Sequence, residues 1–91
     1  MHEKRRWQRS TPPLSEQLLT VHGLRKHVVG KAVDQSLGGL GIRIALPARF
    51  EVGEPVLIQS TQPNRLRMAT IRHVSPDGET GQRLGVEWHM N

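Results

Sequence analysis

Short segments in which apolar and polar residues alternate recur along this chain from residue 17 onward. In residues 39–45 (GLGIRIA), Leu40, Ile42 and Ile44 occupy every second position. A period of two predicts a β-strand that buries one of its faces. Five more segments with similar alternation or many β-branched residues are also predicted as strands: 17–21, 28–33, 56–59, 66–74 and 83–88.

Six short strands at fairly regular spacing, separated by turn residues, predict an all-β chain that forms a closed barrel or a small sandwich. Gly30 is a candidate β-bulge inside the second strand. Neither face of the fifth strand (66–74) is cleanly apolar. Residues 47–52 (PARFEV) are compatible with one helical or 3₁₀ turn, and residues 75–81 (SPDGETG) predict a hairpin loop.

Positive charge is concentrated at the N-terminus. The chain has 91 residues and a net charge of +5, and residues 1–9 hold four cationic side chains against the single Glu3. Residues 11–13 (TPP) then interrupt regular structure, because proline has no amide donor and a fixed φ. We therefore predict two parts, a flexible basic arm over residues 1–13 and one barrel domain over residues 14–91.

The composition argues against several classes of protein. The chain has no cysteine, which removes disulfides and thiol nucleophiles. It has no apolar run near the roughly 18 residues that span a bilayer, and its charged N-terminus does not resemble a secretory signal. We therefore expect a cytoplasmic protein without membrane insertion.

Catalytic and metal-binding motifs are not apparent in the sequence. The five histidines are scattered, no serine lies in a nucleophile-elbow motif and no P-loop is present. We expect neither enzyme activity nor a metal site, and no cofactor. The positive net charge instead favours an anionic partner, such as a nucleotide or a nucleic acid.

The basic arm contains Arg5 and Arg9, which are four residues apart, with Arg6 between them. A guanidinium group presents a planar fork of donors that fits phosphate oxygens or the O6/N7 edge of guanine, and it can stack on a base. Two such groups on an unstructured arm can wrap around a flat anionic ligand. By itself, however, a terminal basic run is also compatible with ordinary solvated charge.

A second polar motif, Asp34-x-Ser36-x-x-Gly39, falls between the second and third predicted strands. The Asp34 carboxylate can accept hydrogen bonds from the N1 and N2 donors of guanine, and the Ser36 hydroxyl can bond a phosphate oxygen. Gly38 and Gly39 have no Cβ and let a ligand approach the backbone. An Asx-type turn, in which Asp34 and Ser36 bond only the local backbone, accounts for the same residues.

Together the two motifs resemble the PilZ domain family. The resemblance extends over nearly the whole chain, because DQSLGGLGI is similar to the family's strand–turn–strand junction, FEVGEPVLI to the approach to its next strand, and RLGVEW to its closing strand. It implies a small six-stranded antiparallel β-barrel of the split-barrel type. It also implies a receptor for the bacterial second messenger cyclic di-GMP (c-di-GMP).

By this resemblance, the ligand-binding residues are expected to be Arg5, Arg9, Asp34, Ser36 and Gly39. The arginines would grip phosphates and contact the guanines, Asp34 and Ser36 would read a guanine edge, and Gly39 would keep the turn tight. The ligand is expected to order the arm over the barrel and to signal to a downstream protein partner. Neighbouring residues are candidates for secondary contacts: Lys4, Arg6, Trp7 and Gly38.

Two other functions are compatible with the sequence. A small basic barrel can bind RNA or DNA, but only Trp7, Phe50 and Trp88 are available to stack on bases, so nucleic acid ranks lower. The other alternative is a PilZ-like scaffold that binds protein and no nucleotide. The presence of Arg5 and Arg9 argues against that alternative.

Overall fold

A computed structural model describes residues 10–13, 17–61 and 64–89 of the chain. It contains six strands: β1 (Leu18–His22), β2 (His27–Gln35), β3 (Gly39–Ala45), β4 (Pro55–Thr61), β5 (Asn64–Asp77) and β6 (Gly81–Trp88). Each predicted strand segment falls on one of them, which confirms the all-β prediction. The described residues include no helix, and therefore none that is long and apolar enough to cross a membrane.

The six strands close into one antiparallel barrel. Their order around the barrel is β1-β2-β3-β6-β5-β4, and β4 pairs back onto β1. Two of the pairings, β3 with β6 and β1 with β4, join strands that are distant in sequence. Closure gives each described strand two neighbours, which leaves little sheet edge to pair with another chain. The barrel, rather than the sandwich, is the observed fold.

The core is aliphatic and follows the predicted alternation. Leu40, Ile42 and Ile44 of β3 are buried, with exposures of 7% or less. Phe50, from the segment between β3 and β4, adds the one aromatic ring among the described buried residues. The other strands contribute Leu19, Val21, Ala32, Val56, Ile58, Ala69, Ile71, Leu84 and Val86. These side chains form one continuous cluster inside the barrel.

A β-bulge explains why the fifth strand has no uniformly apolar face. The pairing of β5 with β6 shifts register between Ile71 and His73. Ala69 and Ile71 face the core before the shift, whereas Val74 packs against the core after it. One extra residue in a strand moves all following side chains to the opposite face, so the inward positions change parity within β5.

The bulge in β2 does not lie at Gly30, and that prediction is wrong. The register of β2 against β3 shifts between Ala32 and Asp34, whereas Gly30 pairs in register with Ile44. A Cβ at Gly30 would lie 2.8 Å from Cγ2 of Ile42. Glycine is therefore favoured at this position because it leaves room for the core side chains of β3.

Two predicted loop structures also differ from the observed ones. Residues 47–52 form no helical or 3₁₀ turn and consist of turns and irregular chain. The predicted hairpin loop over residues 75–81 is shorter, since β5 continues to Asp77 and only residues 78–80 form the turn. β4 pairs with β5 only as far as Thr70. Pro76 therefore lies where β5 has one neighbour, a place where a strand tolerates proline.

The side chain of Gln82 connects β6 to the irregular segment after β3. It is 8% exposed, and its Oε1 accepts a hydrogen bond from the Phe50 N–H at 3.1 Å. Its Nε2 lies 3.5 Å from the Phe50 carbonyl oxygen. The amide thus satisfies the backbone of Phe50 where no strand pairs with it. This contact holds the Phe50 ring in the core.

The backbones of β3 and β6 approach closely at Gly39. A Cβ on Gly39 would lie 2.1 Å from the carbonyl oxygen of Val86. The positive-φ glycines of the described chain are Gly53 and Gly78, so Gly39 is not required for a left-handed backbone. It is required because any side chain would push the two strands apart.

We expect the substitution Gln82→Leu to lower the free energy of unfolding by about 1–3 kcal/mol, because it leaves the buried Phe50 N–H without an acceptor. Urea unfolding followed by circular dichroism measures this loss. Gln59→Leu is the control, since Gln59 is half-buried and bonds the His22 side chain. A loss for Gln82→Leu no larger than that of the control would contradict the role assigned to Gln82.

We expect Gly39→Ala to destabilise the ligand-free protein by about 1–3 kcal/mol, because the new methyl group meets a backbone carbonyl that cannot turn away. Gly85→Ala in the neighbouring strand is the matched control. Its new Cβ would lie 3.1 Å from Cβ of His73, so the neighbouring strand has to move by only a few tenths of an ångström and the expected loss is smaller. Equal stabilities of the two variants in urea unfolding would disprove the steric explanation.

Candidate ligand-binding site

The motif Asp34-x-Ser36-x-x-Gly39 forms the hairpin between β2 and β3. Asp34 lies near the end of β2, Gly39 is the first residue of β3, and the Ser36 N–H donates to the Gly39 carbonyl oxygen at 3.0 Å. Leu37, at the tip of the turn, is 78% exposed. The Gly38 carbonyl oxygen accepts from the Trp88 N–H at 3.0 Å. The turn is therefore anchored to the end of β6.

The carboxylate of Asp34 lies across the outer surface of β3. Asp34 pairs with Gly41, and a Cβ on Gly41 would lie 2.4 Å from Oδ1 of Asp34. The missing side chain at Gly41 therefore provides the space that the carboxylate occupies. From there its Oδ2 accepts a hydrogen bond from Nη2 of Arg83 at 2.9 Å.

Arg83 is a site residue that the sequence analysis did not identify. It lies on β6, and β3 runs between it and β2. The alternation in residues 83–88 puts Arg83 on the face opposite Leu84 and Val86, which is the outer face. The sequence alone thus predicts that this side chain points outward. Its distance from Asp34 depends on the strand order, which local patterns do not reveal.

A row of three cationic side chains crosses the outer surface beside Asp34. Lys31 of β2 lies opposite Arg43 of β3, and Arg43 lies opposite Arg83 of β6. Like charges at directly opposite positions repel each other. Two acidic side chains offset this repulsion, since Asp77 pairs with Arg43 at 3.1 Å and Asp34 pairs with Arg83 at 2.9 Å. The five side chains together carry a net charge of +1 next to the hairpin motif.

The predicted arm residues Arg5 and Arg9 lie outside the described residues, as do Lys4, Arg6 and Trp7. The structure does show where the chain that follows Arg9 joins the barrel. Ser10 forms an antiparallel bridge with Gln35, in which its N–H donates to the Gln35 carbonyl oxygen at 2.8 Å and its carbonyl oxygen accepts at 2.6 Å. Ser10 is therefore fixed beside the hairpin that carries Asp34 and Ser36.

The residues after Ser10 are also held against the barrel. Pro12 is buried, and its carbonyl oxygen accepts from Nε2 of Gln17 at 3.1 Å. The Gln17 carbonyl oxygen then accepts from the Ala32 N–H at 2.7 Å. The chain therefore bonds β2 at Ser10, before the extended connector predicted at residues 11–13, and again at Gln17, and residues 11–13 have no regular structure.

Trp88 packs at the end of the barrel next to the hairpin turn. The guanidinium carbon of Arg67 lies 4.1 Å from the centre of its ring, which is a cation–π contact. Trp88 is half-buried, and Phe50 is buried. In the described part of the chain, neither of these aromatic side chains is therefore exposed as a platform for bases.

The described histidine and acidic side chains do not converge on a metal site. No three of them lie close enough together to hold an ion. His22 and His27 are neighbours, with ring centroids 5.9 Å apart, and His22 Nε2 bonds Oε1 of Gln59 at 2.9 Å. This pair belongs to the β1–β2 hairpin and is not part of the Asp34 site.

Comparisons with known proteins identify the fold and the family. No curated protein matches the chain in a sequence search. The structure resembles the PilZ domain of Escherichia coli YcgR with c-di-GMP, with a TM-score of 0.70 and 24% identity over 94% of this chain and 78% of that chain. It resembles Bacillus subtilis MotI/DgrA, an inhibitor of motility, with a TM-score of 0.76 and 16% identity. At such identities, these similarities show the fold.

Two of these similar structures are much longer than this protein. The alignment covers 98% of this chain and 44% of MotI/DgrA. For E. coli YcgR in complex with c-di-GMP, it covers 96% of this chain and 38% of that chain, with a TM-score of 0.68 and 22% identity. The sequence model of the PilZ domain matches residues 3–91, which is nearly the whole chain. The chain therefore belongs to the PilZ domain family.

Proposed function

We propose that this chain is a receptor domain that binds c-di-GMP between its N-terminal arginine motif and the β2–β3 hairpin. The observation that carries this proposal is the bridge between Ser10 and Gln35. It attaches the residue that follows Arg9 to the strand end that bears Asp34 and the turn that bears Ser36. The two similar YcgR structures contain c-di-GMP, which supports the choice of ligand.

The chemistry of the predicted residues fits the two parts of such a ligand. Arg5 and Arg9 would pair with the phosphates and stack on or bond the guanines, since a guanidinium can do both. Asp34 would accept from N1–H and N2–H of a guanine, and Ser36 would donate its hydroxyl to an acceptor nearby. The positive row beside the hairpin would attract an anion to the same surface.

The proposed role is that of a receptor and not of an enzyme. The ligand would order the arm over the barrel, and a downstream protein partner would recognise the ordered arm. The similar structures come from bacterial proteins, and we place this receptor in the bacterial cytoplasm. The cationic side chains of the arm repel one another, and a bound anion would offset that repulsion. This electrostatic change is a simple basis for such a switch.

Binding of RNA or DNA is the weaker alternative. Proteins that bind single strands commonly stack bases on exposed aromatic side chains. Phe50 is 2% exposed, and Trp88 is half-buried beneath Arg67. Retention of random oligonucleotides at physiological salt, without binding of c-di-GMP, would favour this alternative over the receptor.

We expect isothermal titration calorimetry to detect binding of c-di-GMP to the whole chain at micromolar concentrations. Arg9→Ala should weaken binding about tenfold or more, because it removes charge-assisted hydrogen bonds to the ligand. Asp34→Asn should weaken it by a similar factor, because the amide replaces one acceptor oxygen by an NH2 donor that would face a guanine donor.

Asp77→Asn is the matched control for Asp34→Asn. Asp77 is also an acidic residue paired with an arginine on the outer surface, but it lies at the β5–β6 hairpin turn and not at the β2–β3 hairpin. Its substitution should leave the affinity nearly unchanged. An unaltered affinity of both Arg9→Ala and Asp34→Asn, or no heat of binding by the unmodified chain, would rule out the proposed receptor.

We also expect the affinity for c-di-GMP to fall as salt is added, because pairing between arginines and phosphates is screened. Titrations at several sodium chloride concentrations give the slope of this dependence. The slope should become shallower in a variant with both Arg5→Gln and Arg9→Gln, which has fewer cations to pair with phosphate. An equal slope for the variant would mean that the arm does not contact the phosphates.

A further inference from the structure

We propose that Arg83 is a specificity-determining residue of the ligand site, and that it donates to O6 of the guanine whose N1 and N2 groups are bonded by Asp34. The ion pair between β2 and β6 would then select guanine over adenine. This inference rests on the proposed function, because it assigns an additional residue to the same site.

The geometry of the ion pair leaves Arg83 free to contact a base. Nη2 of Arg83 lies 2.9 Å from Oδ2 of Asp34, and the two side chains are 46% and 23% exposed. A guanidinium carries five N–H groups in a planar fork, and one of them makes this bond. Arg83 can therefore donate to a base while its pairing with Asp34 stays intact.

The two side chains together match the hydrogen-bonding edge of guanine. That edge presents the O6 acceptor beside the N1–H and N2–H donors, so a guanidinium next to a carboxylate satisfies all three groups. Adenine presents its N6 amino donor in place of O6 and an acceptor at N1. Its amino group would then face the donors of Arg83, and its N1 would face the carboxylate, which leaves polar groups without partners.

Next to the ion pair lies a strip of outer surface formed by two glycines, over which we place the base. Gly41 of β3 and Gly85 of β6 lie opposite each other, one outward position away from Arg43 and Arg83. The outer surface at this cross-strand pair therefore has no side chains of its own. Asp34 extends over Gly41 from one side. His73 of β5, which pairs with Gly85, bounds the strip on the other side.

Arg43 provides a matched control for Arg83. It lies directly opposite Arg83 and is exposed to a similar degree, at 43%. It is also engaged in a surface ion pair, but its partner is Asp77 at the β5–β6 turn. Removal of its charge therefore reproduces the electrostatic change of an Arg83 substitution without changing the Asp34 pair.

The test uses three cyclic dinucleotides, whose bases are guanine, hypoxanthine (the base of inosine) or adenine. The affinity for each is measured with the unmodified chain, Arg83→Gln and Arg43→Gln. Hypoxanthine keeps O6 and N1–H but lacks the N2 amino group. We expect Arg83→Gln to weaken the guanine and hypoxanthine ligands by the same factor, about tenfold. The adenine ligand should not weaken, so the preference for guanine over adenine falls about tenfold. Arg43→Gln should preserve that preference.

A purely structural role for Arg83 gives a different result. If Arg83 only positions Asp34, its substitution also removes the preference for guanine over hypoxanthine, because that preference depends on the contact between Asp34 and N2. This result would disprove the contact between Arg83 and O6. An Arg83→Gln variant that keeps the full preference for guanine over adenine disproves the inference and leaves the receptor intact. If the unmodified chain binds none of the three ligands, both proposals fail.

A second variant guards against loss of folding. Thermal unfolding of Arg83→Gln should resemble that of the unmodified chain, because exposed ion pairs contribute little to stability. Arg83→Lys keeps the charge but has a single ammonium group in place of the planar fork. It should bind the guanine ligand with intermediate affinity. An affinity equal to that of the unmodified chain would mean that the positive charge of Arg83, and not its planar fork, accounts for its contribution to binding.

Discussion

The pairing of β3 with β6 is the contact on which both the barrel and its candidate site depend. It runs from Gly39 opposite Glu87 to Ala45 opposite Gly81, and it joins strands that no short turn connects. Such a pairing must overcome the entropy of closing a long loop. The burial of Ile42 and Leu84, which lie opposite each other in the core, supplies the compensating hydrophobic free energy.

The same pairing assembles the surface above the core. It brings Arg83 within hydrogen-bonding distance of Asp34 across β3, and it places the Trp88 N–H on the Gly38 carbonyl oxygen. Gly39 lets the two backbones come together at this point. The inner faces of β3 and β6 thus stabilise the barrel, while their outer faces position the groups proposed to read the ligand.

Local patterns in the sequence predict the strands but not the irregularities within them. Alternation in β3 predicted its buried side chains because each residue's direction depends only on its neighbours in the chain. The bulges in β2 and β5 depend on the partner strand, so alternation alone neither locates the bulge of β2 nor explains the mixed faces of β5. Turn chemistry at residues 75–77 was outweighed by the pairing of β5 with β6.

For the candidate site, the sequence revealed the parts that are contiguous in the chain. Asp34, Ser36 and Gly39 lie on one hairpin, so their spacing alone indicated a common location. Arg83 is 49 residues from Asp34, and its role becomes visible only from the strand order. The resemblance to the PilZ family assigns ligand contacts to the arm and the hairpin, and it matches β6 only as the closing strand of the barrel.

The outer surface of β2, β3 and β6 carries features that stability alone does not favour. Glycines inside strands, such as Gly41 and Gly85, weaken a sheet because they have no side chain to pack. Three positive charges lie side by side on Lys31, Arg43 and Arg83, and the two negative charges of their acidic partners offset the repulsion only in part. Exposed ion pairs return at most about 1 kcal/mol each. A small barrel that places these features together on one face, next to the point where Ser10 joins the sheet, is better explained by binding than by folding.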